Sequence, residues 1–115
     1  MHLPSKAKRL RVYTGEWDKI GSQPLHEAIV EEAARRGLAG ATVLRGVSGF
    51  GANSRVRTSK ILVLSQDLPL IVEIVDAGEK INQFLTWLDG VVQEGLVTVE
   101  DVDVGFYRHK LGEKA

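Results

Sequence analysis

At 115 residues the chain is sized for one domain with a modest core, and its 43% hydrophobic and 26% charged content argues against disorder. Fifteen Lys and Arg offset fifteen Asp and Glu, so nucleic-acid binding through bulk charge is not expected and only a local basic patch remains. With zero cysteines, disulfides, cysteine-held iron–sulfur clusters and thiolate zinc sites are excluded, as suits a reducing cytosol.

From Met1 to Arg11 the chain is basic without an apolar stretch, so it does not read as a signal peptide, and no later run approaches the ~20 apolar residues needed to span a bilayer. A cytoplasmic protein is expected, with no direct membrane insertion. Lys8 to Thr14 alternates Arg9, Arg11 and Tyr13 against Leu10 and Val12, the period of a strand. Ser22 reads as an N-cap with Pro24 in the first turn of a helix that runs to about Arg36, with Gly37 as its stop. Leu25, Ala28, Ile29 and Ala33 form its buried stripe, and Glu31–Arg35 and Glu32–Arg36 are spaced as i,i+4 pairs.

Ala41 to Val47 reads as a second strand, and Ser59 to Ser65 as an extended stretch with an apolar centre. Pro69 is expected in a turn before a strand over Leu70 to Val75. Asp76 with Glu79 three residues on resembles a capping box, opening a helix that aligns Ile81, Phe84, Leu85, Leu88, Val91 and Val92. Gly90 weakens that helix near its end and Gly95 closes it. Leu96 to Tyr107 is a last extended region whose apolar parity slips between Val99 and Val102, suggesting a bulge at Glu100-Asp101. The tail, 108–115, is polar.

With Ser59–Ser65 set aside as part of a long connection, the order is β-α-β-β-α-β. This is an α+β, ferredoxin-like sandwich: a four-stranded antiparallel sheet with two helices on one face, in a single domain with its core over about 8–107. Leu70-Ile71-Val72 and Ile74-Val75 are apolar on both faces, which asks for cover on the second face too. Another subunit is the expected cover. Trp17 and Trp87 could serve such an interface or pack locally.

One interval stands apart. From Ala33 to Gln66 there is no acidic residue, while Arg35, Arg36, Arg45, Arg55, Arg57 and Lys60 all fall inside it. At its centre lies Gly46-Val47-Ser48-Gly49-Phe50-Gly51-Ala52-Asn53-Ser54. Backbone N–H groups of a glycine-rich loop among cations suit an oxyanion such as phosphate, though the same glycines can serve a plain flexible connection.

At Gly40-Ala41-Thr42-Val43 followed by Gly49-Phe50-Gly51, the chain resembles the PII signalling proteins, and more closely a PII-like family of uncharacterised domains. The pattern of the latter looks like Arg11 to Gly15, Pro24 to Ala28, Gly37 to Gly46, Leu68 to Asp76 and Glu94 to Thr98, spanning roughly 8–107. The resemblance implies a homotrimer whose intersubunit clefts bind an adenine nucleotide, ADP, AMP or ATP, as an effector, with no other cofactor required. It implies a relay through the loop 49–68 to a partner, a membrane transporter or another regulated protein.

Carried over by residue, Gly49, Phe50 and Gly51 lie at the loop root and Ala52 and Asn53 place N–H groups near phosphate, while Gly46 and Ser48 are candidates from the glycine-rich segment itself. Arg55, Arg57 and Lys60, read from the acid-free interval, are either phosphate partners or solvated loop cations. By the resemblance, Gly95 matches the turn after the second helix, and Arg108 and Lys110 match a basic pair after the last strand. Alternation would put that pair on one face if the strand continued so far. Two departures bear on this. The connection from Gly51 to Pro69 has no tyrosine, so uridylylation is not expected, and no lysine accompanies Gly95, so ADP or AMP is as well suited as ATP.

His2, His26 and His109 show no metal-ligand spacing, and no nucleophile stands beside a base. The chain is not expected to be an enzyme. The competing reading is a small ferredoxin-fold enzyme using Glu73 or His26 at an oligomer cleft, with Glu73 more simply a structural hydrogen-bond partner. An RNA-recognition module shares the topology but needs stacking aromatics that Leu70 to Val75 lacks.

Overall fold

The computed structural model describes residues 3–50, 57–58 and 68–108. The main elements are β1 (Lys6–Gly15), α1 (Leu25–Arg35), β2 (Thr42–Arg45), β3 (Pro69–Asp76), α2 (Gly78–Val91) and β4 (Leu96–Asp103). The four strands form one antiparallel sheet in the order β2-β3-β1-β4, the ferredoxin-like arrangement. Lys19–Ile20 pairs with Gln23–Pro24, and Ser48–Gly49 with Arg57–Thr58, in two further two-residue ladders.

Alternation sets the layers. Leu10 and Val12 of β1 and Val72 and Ile74 of β3 turn to one face and meet Leu25, Ile29 and Ala33 of α1 and Ile81, Phe84 and Leu88 of α2. Both helices therefore cover the same face. Directly opposite residues of antiparallel strands share a face, so Arg9, Arg11, Tyr13, Ile71, Glu73 and Val75 turn to the other one, as expected from the apolar runs of β3. No helix among the described residues is long and apolar enough to cross a membrane.

The predicted stripe of α1 is buried throughout, and Gly37 closes the helix at φ +72°, with Leu38 N–H donating to the carbonyl of Ala33 at 3.0 Å. Several local expectations differ. Ser22 does not cap α1: the helix starts after Pro24, which is tied up with Gln23 in the short hairpin. Arg36 pairs with Glu32 at 2.7 Å as predicted, but Arg35 also turns to Glu32, while Glu31 accepts from Gln23 Nε2 at 2.9 Å. Pro69 is not in a turn; it opens β3 opposite Gly15, where its carbonyl can still accept.

Asp76 and Glu79 form no capping box. Asp76 is only 1% exposed, and its carboxylate accepts the N–H groups of Ala39 at 2.8 Å and Ala77 at 2.6 Å. The second strand is shorter than Ala41 to Val47, and β4 ends at Asp103 with an unbroken register against Lys6 to Tyr13. No bulge interrupts it at Glu100-Asp101. The parity slip arises because Val97 and Val99 lie opposite Val12 and Leu10 on the helix side, whereas Val102 lies opposite Ala7 on the other. The stretch Ser59 to Ser65 lies outside the described residues.

Candidate functional site

Four strand ends meet at the end of the sheet that holds the glycine segment. β1 finishes at Gly15, β2 at Arg45, and β3 and β4 begin at Pro69 and Leu96. Gly46 N–H donates to the carbonyl of Pro69 at 2.7 Å, and Glu16 N–H donates to that of Leu68 at 2.9 Å. A Cβ at Gly46 would stand 2.8 Å from Pro69 Cγ, so close approach demands glycine there. Gly49 sits at φ +141°, a conformation that L side chains rarely adopt, and pairs back to Arg57. Val47 and Phe50 are 74% and 67% exposed, so Phe50 plugs no core within one protomer.

The acid-free interval of the sequence is not acid-free in space. Glu16, carried on the turn after β1, pairs with Arg45, and Glu32 takes both Arg35 and Arg36. Those guanidiniums hold the Glu32 carboxyl below the usual carboxylate range, chiefly through the Arg36 hydrogen bond. Arg36 also lies 5.8 Å over the Phe84 ring, linking α1 to α2. Glu16 and Glu32 lie at and beyond the interval's edges in the chain, which is why a linear reading of charge overlooks them.

Of the residues named from the sequence, Gly46, Ser48, Gly49 and Phe50 are contiguous at this end of the sheet. Gly51, Ala52, Asn53, Arg55, Lys60 and Lys110, and the side chain of Arg57, fall outside what is described. Gly95 is at the same end but beside the opposite edge strand, three strand spacings or about 14 Å away. A Cβ there would meet the Tyr13 carbonyl oxygen at 2.8 Å with φ at +145°, so backbone packing alone already requires glycine. Arg108 is at the other end of the sheet, with its guanidinium 4.3 Å over Phe106, and β4 does not extend to it. The strand on which that alignment depended ends at Asp103, and Lys110 lies outside the described residues.

On the open face, Arg11 Nε donates to Glu73 at 2.8 Å, with the two side chains 32% and 26% exposed. That hydrogen bond pushes the Arg11 pKa up. Glu73 thus has the structural partner that the sequence favoured for it. Beside it, a cleft of about 310 Å³ is lined by Leu3, Ala39, Thr42, Glu73, Val75 and Tyr107, and the Tyr107 hydroxyl donates to the Ala39 carbonyl at 3.0 Å. His26 keeps a buried Nδ1 without a protein partner. No group of three or more acidic or histidine side chains able to hold a metal occurs among the described residues.

Residues 7–104 match the DUF190 family model, described as an uncharacterized ACR. The chain belongs to this family. It is 41% identical over 99 residues to a UPF0166 protein of Aquifex aeolicus, covering 86% of this chain and 93% of that one. A UPF0166 protein of Methanocaldococcus jannaschii is 38% identical over 100 residues, covering 86% and 92%.

Among solved structures, CPII, a nitrogen regulatory PII-like protein from Thiomonas intermedia K12, bound to ADP, AMP and bicarbonate, superposes with a TM-score of 0.62 at 18% identity. That match covers 90% of this chain and 97% of CPII. The B. subtilis GlnK–ATP complex gives 0.54 at 16% identity, covering 87% and 84%. The fold is PII-like, as the sequence resemblance implied.

Proposed function

We propose that the chain is a cytoplasmic, non-catalytic PII-like regulatory protein, a homotrimer that binds an adenine nucleotide in clefts between copies. The segment 49–68 relays occupancy to a partner protein. The observation that carries this reading is the placement of the candidate residues on a PII-like fold. Gly46–Phe50 and Gly95 stand at one end of the sheet beside opposite edges, and Arg108 stands at the other end. Among the described residues, one protomer does not close a site around these groups, whereas a neighbouring copy can bring its own Arg108 or Gly95 to the glycine segment.

The ligands of CPII and GlnK set the class of effector to test. Glu16 engages Arg45, so the phosphate-pairing candidates of the glycine interval are taken to be Arg55, Arg57 and Lys60, whose side chains lie outside the described residues. Ordering of a segment on ligand binding is an established way to couple a site to a partner, worth about 1–3 kcal/mol. The engagement of Glu73 by Arg11 supports a non-catalytic reading over an enzyme that uses Glu73 as a base.

Isothermal titration with ADP, AMP and ATP tests the proposal. Heat of binding is expected with at least one nucleotide and is lost when Arg55→Ala and Arg57→Ala are combined. Absence of heat with all three overturns the effector reading, and nucleotide turnover lost on Glu73→Gln overturns the non-catalytic one.

A further inference from the structure

Arg108 differs from the other arginines in its surroundings. The guanidiniums of Arg9, Arg11, Arg35, Arg36 and Arg45 each pair with a carboxylate. That of Arg108 meets no carboxylate among the described residues and lies 4.3 Å over the Phe106 ring, which is itself 72% exposed. A ring face steadies a guanidinium without cancelling its charge, so this cation stays available to an anion.

The sheet itself does not hold that pair. β4 ends at Asp103, and Val104 N–H then donates to the Ser5 carbonyl at 2.7 Å. The next fixed point is Tyr107, whose hydroxyl donates to the Ala39 carbonyl at 3.0 Å in the turn that leads into β2. β4 and β2 are opposite edges of the sheet, so this bond ties the chain beyond β4 to the far edge. Tyr107 accordingly lines the open-face cleft beside Glu73 and Val75 of β3. The acceptor is fixed in turn: Asp76, only 1% exposed, holds the Ala39 N–H at 2.8 Å. Both backbone polar groups of Ala39 are thus engaged by distant side chains.

We infer that Tyr107 is a positioning residue for the ligand site: its hydroxyl, anchored on Ala39, sets the place from which Arg108 reaches an anionic ligand. The inference deepens the nucleotide reading above, in which Arg108 serves the cleft of a neighbouring copy, and rests on it. An arginine loses rotamer freedom when it binds, and a fixed backbone beside it lowers that cost. Without the hydroxyl, the residue before Arg108 loses its tie to the far edge, and the ligand itself must order the guanidinium. Tyr107 acts through Arg108 rather than on the ligand, so substitutions at the two positions are non-additive.

A double-mutant cycle read by isothermal titration with ADP, AMP and ATP tests it, using wild type, Tyr107→Phe, Arg108→Ala and the two combined. Urea midpoints and sedimentation equilibrium check fold and assembly, which are expected to stay close to wild type in Tyr107→Phe. Arg108→Ala is expected to raise Kd by at least about tenfold and Tyr107→Phe by about threefold to tenfold. The combined variant is expected to bind no more weakly than Arg108→Ala alone. Phe106→Leu, which removes the ring under the guanidinium, is expected to show the same non-additivity and serves if Tyr107→Phe does not fold. A folded Tyr107→Phe that binds like wild type, while Arg108→Ala is weakened, overturns the positioning role and leaves the nucleotide reading intact. Additive losses in the combined variant, or a loss of affinity that tracks a loss of assembly, overturn it as well. Unchanged affinity in Arg108→Ala removes Arg108 from the site and the inference with it. A wild type that binds no nucleotide overturns the nucleotide reading itself.

Discussion

The carboxylate of Asp76 accepts the backbone N–H of Ala39 at 2.8 Å, tying the last residue of β3 to the turn that leads from α1 into β2. Its second oxygen accepts the N–H of Ala77 at 2.6 Å, just ahead of α2. One buried side chain therefore joins three elements. Asp76→Asn keeps the size but has a single acceptor oxygen, so one of the two N–H groups must face an amide NH2. Hydrogen bonds to charged groups contribute about 1.5–3 kcal/mol each, and a loss of that order is expected in urea unfolding. An Asn variant as stable as wild type would show that one of the two bonds is dispensable to the fold.

Gly95 and Gly90 make a matched pair of opposite sign. A methyl group at Gly95 would meet the Tyr13 carbonyl at 2.8 Å on a backbone with φ +145°, so Gly95→Ala is expected to destabilise the fold by more than 1 kcal/mol, roughly. At Gly90, inside α2, a Cβ meets nothing within 4 Å. There, Gly90→Ala is expected to stabilise by roughly 0.5–1 kcal/mol, the helix-interior difference between the two residues. Thermal melts of both variants decide the matter. Equal shifts in the same direction would contradict it.

The fold was legible because its signals are periodic: the Leu10/Val12 and Leu70/Val72/Ile74 alternations and the Ile81/Phe84/Leu88 spacing each fix a buried face. Helix starts were less legible. Ser22 and Asp76 have the chemistry of caps, but a hairpin claims the chain just beyond Ser22, and a distant N–H, that of Ala39, claims Asp76. The parity slip in β4 looked like a bulge because a strand carrying valines on both faces gives the same pattern as a shifted one. Around the glycine segment, the backbone's demand for glycine was readable, whereas charge was not. Glu16 and Glu32 neutralise Arg45, Arg35 and Arg36 through tertiary and helical contacts that the spacing of the acid-free interval conceals.

Acid should expose the role of Glu32. Its carboxyl is held below the ordinary value of about 4.3 by Arg36 and Arg35, so it favours the folded state fully above that value. This contribution is lost as pH falls through the ordinary value toward the depressed one. Glu32→Gln keeps the volume and removes the titration. Urea midpoints measured from pH 6 to pH 3 should fall less steeply for this variant than for wild type. Parallel curves would remove Glu32 from the acid response.

Arg45 is placed at the root of the glycine segment but is engaged by Glu16, whose own N–H is fixed to the Leu68 carbonyl at 2.9 Å. The acid is thus preset beside the guanidinium and needs no rearrangement to hold it. With 61% of the Arg45 side chain exposed, the pair contributes only about 0–1 kcal/mol to stability, so Arg45→Ala should fold normally. If the phosphate of a nucleotide is held by Arg55, Arg57 and Lys60, titration of Arg45→Ala should give a Kd within about twofold of wild type. A tenfold loss, equivalent to about 1.4 kcal/mol, would instead make Arg45 a phosphate ligand that exchanges Glu16 for the effector. Glu16→Gln separates the cases. It frees the guanidinium, and tighter nucleotide binding in that variant would establish the exchange.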